Sequence, residues 1–125
     1  MKYACLVYYQ ETDIEQMAPG QWEALNAECI ECGEELRASG HMVGGEALHP
    51  VATATTLRVR NGKVAITDGP FAETKEQLAG FYLIEARDLN DAIRVAARIP
   101  PARLGHIEIR PVRNLLDAIH PTAAQ

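Results

Sequence analysis

Two short stretches constrain this chain more than anything else in it, because each is apolar on both parities. Tyr3 to Tyr9 sets Tyr3, Cys5, Val7 and Tyr9 on one side and Ala4, Leu6 and Tyr8 on the other. Gly80 to Ala86 repeats the pattern, with Phe81 and Leu83 against Tyr82 and Ile84. Successive residues of a strand point to opposite faces of the sheet, so strands like these need cover on both sides. A chain of 125 residues has room for one domain, and the cover must be found within that limit.

Two amphipathic helices supply part of it. From Gln21 to Ser39, after Pro19-Gly20, the residues Trp22, Leu25, Cys29, Cys32 and Leu36 recur at spacings of three and four, which is one apolar stripe. Six glutamates or arginines occupy the rest of that surface, and Gly40 stands where a helix end takes up left-handed backbone. A second helix follows the capping residue Asp88, with Leu89, Ala92, Ile93, Ala96 and Ala97 as its stripe and Pro100-Pro101 ending it. Leu115, Leu116 and Ile119 predict a short terminal helix before Pro121, in an extension from residue 113 to 125.

The other segments read as strands. His41 to Leu48 is one, with Gly44-Gly45 marking a bulge or a close backbone approach. Thr55 to Arg60 alternates in polarity, Asn61-Gly62 follows, and Lys63 to Ile66 resumes. Asn-Gly between such runs is a two-residue hairpin turn needing positive φ. Gly105 to Val112 is the last strand. Strand, helix, strand, hairpin, strand, helix, strand is the order of a split βαβ, ferredoxin-like α+β sheet with an inserted β-hairpin, both helices on one face. Two helices cannot cover both faces, so a homodimer packed sheet against sheet is expected.

Charge and composition exclude several functions. The net charge is −5 and the sequence pI about 5.3. Outside Arg58, Arg60 and Lys63 the basic residues are scattered, which gives no footprint for nucleic acid. No apolar run is long enough for a membrane span, and the first nine residues do not read as a signal peptide. Three cysteines form no disulfide framework and suit a reducing compartment, so the cytoplasm is expected. Cys29 and Cys32 have C-x-x-C spacing but lie on the helical stripe with no second pair, so they are expected as core thiols.

The segment from Asp68 to Ala79 is about twice the usual connection of roughly four to six residues, and it is dense in ionisable groups. Asp68-Gly69-Pro70-Phe71-Ala72-Glu73-Thr74-Lys75-Glu76 resembles the signature of the DGPF group of YCII-related proteins. Ser39-Gly40-His41, Gly45 to Leu48, Ala54 to Arg60, Gly80 to Ile84 and Ile109 to Val112 are similar to runs in that group as well. The resemblance extends from Lys2 to Val112 and takes residues 1–112 as a single YCII-related domain. It implies a dimeric α+β barrel. It also implies a shared histidine and aspartate, for which an enzymatic role has been suggested, and an association with extracytoplasmic-function sigma factors. Asp68 matches the aspartate. No histidine lies between Gln21 and Gly40, which makes His41 the nearest candidate.

His41 and Asp68 are therefore the expected catalytic pair, acid or base with an orienting carboxylate. Arg110 is opposite in parity to Ile107 and Ile109, so it projects from the face without helices, where it could clamp an anion. Tyr82, Glu73 and Lys75 complete the expected ligand contacts, on a cleft where the loop meets that face. His49, His106 and His120 read as loop or edge residues. No cofactor or metal is expected, because Asp68, Glu73 and Glu76 supply fewer oxygens than a hard cation takes. The leading reading is a domain that binds a small anionic organic molecule and catalyses proton transfer, as in isomerisation, elimination or lactone chemistry. The alternatives are a non-catalytic ligand-binding or regulatory module tied to a sigma factor, and a structural dimer whose loop only completes the fold.

Overall fold

In the computed structural model, which describes residues 1–119, the chain runs β1 (Lys2–Tyr9), α1 (Glu11–Glu15), α2 (Gln21–Ala38) and β2 (Met42–Ala47). The hairpin β3 (Thr55–Arg60) and β4 (Lys63–Asp68) follows, then β5 (Gln77–Glu85), α3 (Leu89–Ala96), β6 (His106–Pro111) and α4 (Leu116–Ile119). Four strands form one antiparallel sheet in the order β2-β5-β1-β6, while β3 and β4 pair only with each other. β1 and β2 share a direction with β5 between them, which is the split βαβ arrangement of a ferredoxin-like α+β fold.

Local signals account for the element ends. Asn61 (φ 54°) and Gly62 (φ 75°) make the hairpin turn. The Asp88 carboxylate accepts the Asp91 N–H at 2.9 Å and caps α3. At the end of α2, Gly40 (φ 80°) donates to Arg37 O and His41 N–H reaches back to Leu36 O at 2.8 Å, so two terminal carbonyls are satisfied in a Schellman turn. A bulge between Met42 and Gly44 shifts the register of β2 on β5.

Both helices cover the same face. Tyr3, Cys5 and Val7 of β1 and Ile84 of β5 pack with Cys32 and Leu36 of α2 and Ala92, Val95 and Ala96 of α3. On the other face Ala4 is opposite Leu83 and Leu6 opposite Phe81 and Glu108, and Ala4, Leu6 and Leu83 are half-buried there. Two boundaries differ from the sequence expectation. β4 continues through Asp68 and β5 begins at Gln77, which reduces the long loop to Gly69–Glu76. Backbone pairing of Thr55 with Asp68 and of Tyr9 with Gln77 extends both strands past their apolar runs. The helical turn α1 was not signalled. It is held by Glu11, whose N–H donates to Gln77 Oε1 and whose carboxylate accepts Val51 N–H, both at 2.9 Å. His120 and the rest of the 113–125 extension past Ile119 lie outside the described residues. No described helix is long and apolar enough to cross a membrane.

Candidate functional site

A cavity of about 380 Å³ opens between α2 and the β2–β5 side of the sheet, a size suited to a small organic ligand. Trp22, Leu25, Asn26, Cys29, Ile30, Gly33, Glu34 and Arg37 line it from α2, all at helical spacings of three and four beside the core stripe. Met42 and Gly45 to Leu48 line it from β2, and Ala79 to Tyr82 from β5. Two glycines make the hollow. Gly33 offers no side chain in mid-helix, and a Cβ there would meet only Met42 Sδ at 3.7 Å and an Arg37 guanidinium nitrogen at 3.8 Å. Gly45 lets β2 lie so close to β5 that a Cβ would sit 2.6 Å from Phe81 O.

Asn26, Cys29, Glu34, Arg37, Glu46 and Tyr82 carry the polar side chains of the lining, so two carboxylates share it with one guanidinium. Tyr82 directs its phenol at Cys29, and burial pushes its titration well above the usual phenol range, with the neighbouring thiols adding to the rise. Burial also raises the Cys29 thiol, and Cys32 beside it adds to the effect. Both groups are thus protonated near neutral pH, so they are hydrogen-bond donors and neither is a base or a thiolate nucleophile. Arg37 has no carboxylate partner among the described residues, whereas Arg98 pairs with Glu35 and Arg103 with Glu28. Arg37 is thus the one lining guanidinium left without an ion-pair partner among the described residues, on a hollow whose remaining lining is mostly apolar.

The residues expected from sequence are dispersed. Tyr82 lies in the cavity, on the helical face opposite Cys5. Arg110 projects from the bare face opposite Ala4, with its Nε 3.9 Å from Glu108 Oε2. The expected cleft on that face is therefore not where the cavity is: the cavity lies under α2. His41 sits against α3, in a hollow with Arg87, Asp91, Arg94, Val95 and Arg98, its Nδ1 2.8 Å from Ser39 Oγ. The arginines of that hollow are already paired, Arg87 and Arg94 with Asp91 and Arg98 with Glu35.

His41 and Asp68 do not meet within one chain. The His41 carbonyl accepts Glu85 N–H at one end of β5, while Asp68 leads through the loop into Gln77 at the other. About 25 Å of strand separates those ends at roughly 3.3 Å per residue. The carboxylate of Asp68 is exposed and makes no side-chain hydrogen bond among the described residues, and Glu73 and Lys75 are exposed on the loop. A different histidine finds a carboxylate. His106 Nδ1 lies 2.9 Å from Glu76 Oε1, tying the loop to the start of β6.

Arg37 escaped the sequence reading because it looked like solvated helix surface, and Gly33 because it carries no side chain to mark a face. The available signal was a second stripe on the same helix, Trp22, Asn26, Ile30, Gly33 and Arg37, interrupted by a residue with no side chain.

The model of the YCII-related domain family matches residues 1–116. An uncharacterised protein of Rhizobium meliloti (strain 1021) is 34% identical over 114 residues, which is 90% of this chain and 92% of that protein.

Proposed function

The chain belongs to the YCII-related domain family, and from that premise we propose that it is a small-molecule-binding domain whose ligand occupies the cavity under α2. The carrying observation is the unpaired Arg37 beside an apolar hollow whose floor holds the Tyr82 hydroxyl. A largely apolar organic acid fits that chemistry: its body fills the space left at Gly33, its carboxylate pairs with Arg37, and a carbonyl or hydroxyl oxygen accepts from Tyr82. A hydrogen bond from a neutral phenol to a carbonyl polarises it, which would assist isomerisation or lactone chemistry. Proton transfer by His41 and Asp68 would need the two residues to come from different copies of a homodimer. Free Cys5, Cys29 and Cys32 support a reducing, cytoplasmic setting.

Trp22 is the single tryptophan and lines the cavity, so its emission reports occupancy. Titration with a panel of aromatic and branched carboxylic acids should change that emission for at least one compound. Arg37→Met should then weaken binding by about tenfold or more, the loss of a charged hydrogen bond, and Gly33→Leu should abolish it by filling the space. Binding that persists unchanged in Gly33→Leu would refute the cavity as the site.

A second reading, a regulatory module of the DGPF group that contacts an extracytoplasmic-function sigma factor, draws support from Phe71. This residue sits in the Gly69–Glu76 loop and is 89% exposed. Co-purification with a sigma factor, lost in Phe71→Ser, would favour it.

A further inference from the structure

Met42 lies where the two glycine walls of the cavity approach each other. It pairs across the sheet with the buried Ile84, so its side chain takes the helical face and packs against the core there. Its sulfur is 3.7 Å from the point that a Cβ on Gly33 would occupy, and its terminal methyl is 3.0 Å from the corresponding point of Gly45. The thioether therefore spans the hollow from α2 to β2, a use that suits methionine because its unbranched chain follows an irregular gap. One guanidinium nitrogen of Arg37 lies 3.8 Å from the same Gly33 point. That guanidinium turns back over the glycine and makes no ion pair, among the described residues, with Glu34 at the i−3 position of the helix. A cation and a soft apolar wall thus flank one gap.

We propose that Met42 decides which carboxylic acids the cavity takes, by limiting bulk at C2, the carbon next to the carboxylate. The inference deepens the reading of the cavity as an acid-binding site and rests on it. A carboxylate oxygen held by Arg37 lies roughly 2.7–2.9 Å from its nitrogen, which brings C2 into the gap at Gly33, against the Met42 sulfur. The methionine has no room to withdraw from a substituent there. Its methyl already abuts Gly45, whose backbone is held close to Phe81 O of β5, and the rest of its side chain is packed on the core. Acids with an unsubstituted C2 and their bulk further along the chain are the class that fits, with the apolar body running along α2 towards Trp22.

Trp22 emission reads the affinities that test this. Phenylacetate, 3-phenylpropanoate and 4-methylpentanoate are each titrated beside the homologue methylated at C2. Wild type should bind at least one of the unmethylated acids and prefer it to its homologue by about tenfold or more, the order expected for one methyl group in a fitted apolar pocket. Met42→Ala opens the gap and should bring that ratio close to one. Gly33→Ala places a methyl at the contested point without breaking the helix, so it should widen the ratio, and it decides the matter if Met42→Ala does not fold. If no acid changes the emission of wild type, the acid-binding reading fails and this inference with it. If acids bind but their C2-methylated homologues bind equally well, the cavity reading stands and the role of Met42 is overturned. A preference that survives at wild-type strength in Met42→Ala, or a ratio unmoved in Gly33→Ala, overturns that role too.

Discussion

At the scale of single residues, the strongest electrostatic commitment is structural. Asp91 is 5% exposed and accepts from the Arg87 N–H at 2.9 Å and from the guanidinium groups of Arg94 and Arg87. The Arg87 backbone bond, then the Arg94 side chain, hold its carboxyl far below its ordinary value of 3.8. A carboxyl depressed on folding stabilises the native state above the unfolded value and loses that contribution as pH falls through the folded one. Asp91→Asn should therefore be less stable than wild type at neutral pH, and its Tm should fall less steeply with acidification below about pH 4. An acid limb as steep as that of wild type would assign the acid sensitivity to other carboxylates. The His106–Glu76 pair is a different case: the His106 side chain is 79% exposed, so the contact orients the loop and adds little stability.

At the scale of elements, α2 shows how one residue type acts oppositely in two settings. Gly33 is helical, and an added Cβ would make only ordinary contacts. Gly33→Ala should stabilise the fold by roughly 1 kcal/mol through helix propensity, raising the denaturant midpoint with an unchanged slope. Gly45 has φ 148° and faces Phe81 O across β2 and β5. Gly45→Ala should cost about 2 kcal/mol or more and loosen the cavity wall. Equal effects of the two substitutions in parallel melts would contradict the close approach at Gly45. The apolar stripe of α2 divides in the same way. Leu25, Cys32 and Leu36 are buried, but Trp22 is 41% exposed and Cys29 turns to the cavity, so the expected pair of core thiols is one core thiol and one cavity thiol.

At the scale of the whole molecule, that division gives a test of packing. Cys5 is fully buried, its thiol pushed up to about 11 by burial, and Cys32 donates to Arg98 O at 3.4 Å. A small thiol reagent should label Cys29 first, with Cys5 and Cys32 reacting only on global unfolding, and a cavity ligand should slow the Cys29 step. Fast labelling of all three would mean that the sheet–helix core opens locally. In alkali the sign is fixed by the raised thiols. Their native-state contribution is complete below the ordinary value of 9.0 and is lost as pH rises towards the folded values, so Tm should decline from about pH 9 upward.

The sequence by itself determined the kinds of elements and most of their ends, because those depend on short-range chemistry. Periods of two and of about 3.6 residues separate strands from helices, Asn61-Gly62 supplies the positive φ of a tight turn, Asp88 supplies a cap, and Gly40 supplies a left-handed exit. Membership of the YCII-related domain family was legible in the sequence, and the two-sided apolar strands marked residues on both faces of the sheet. Only the tertiary structure decided where the hollow is and which groups share it. The bulge at Met42 to Gly44 resets which side chains of β2 face inward, and the length of β5 sets His41 apart from Asp68. The space itself exists because Gly33 and Gly45, distant in the chain's local patterns, come together as walls that no side chain fills. Local periodicity records which face a residue takes, whereas a cavity is a deficit of packing between elements, and that deficit appears only once their register is set.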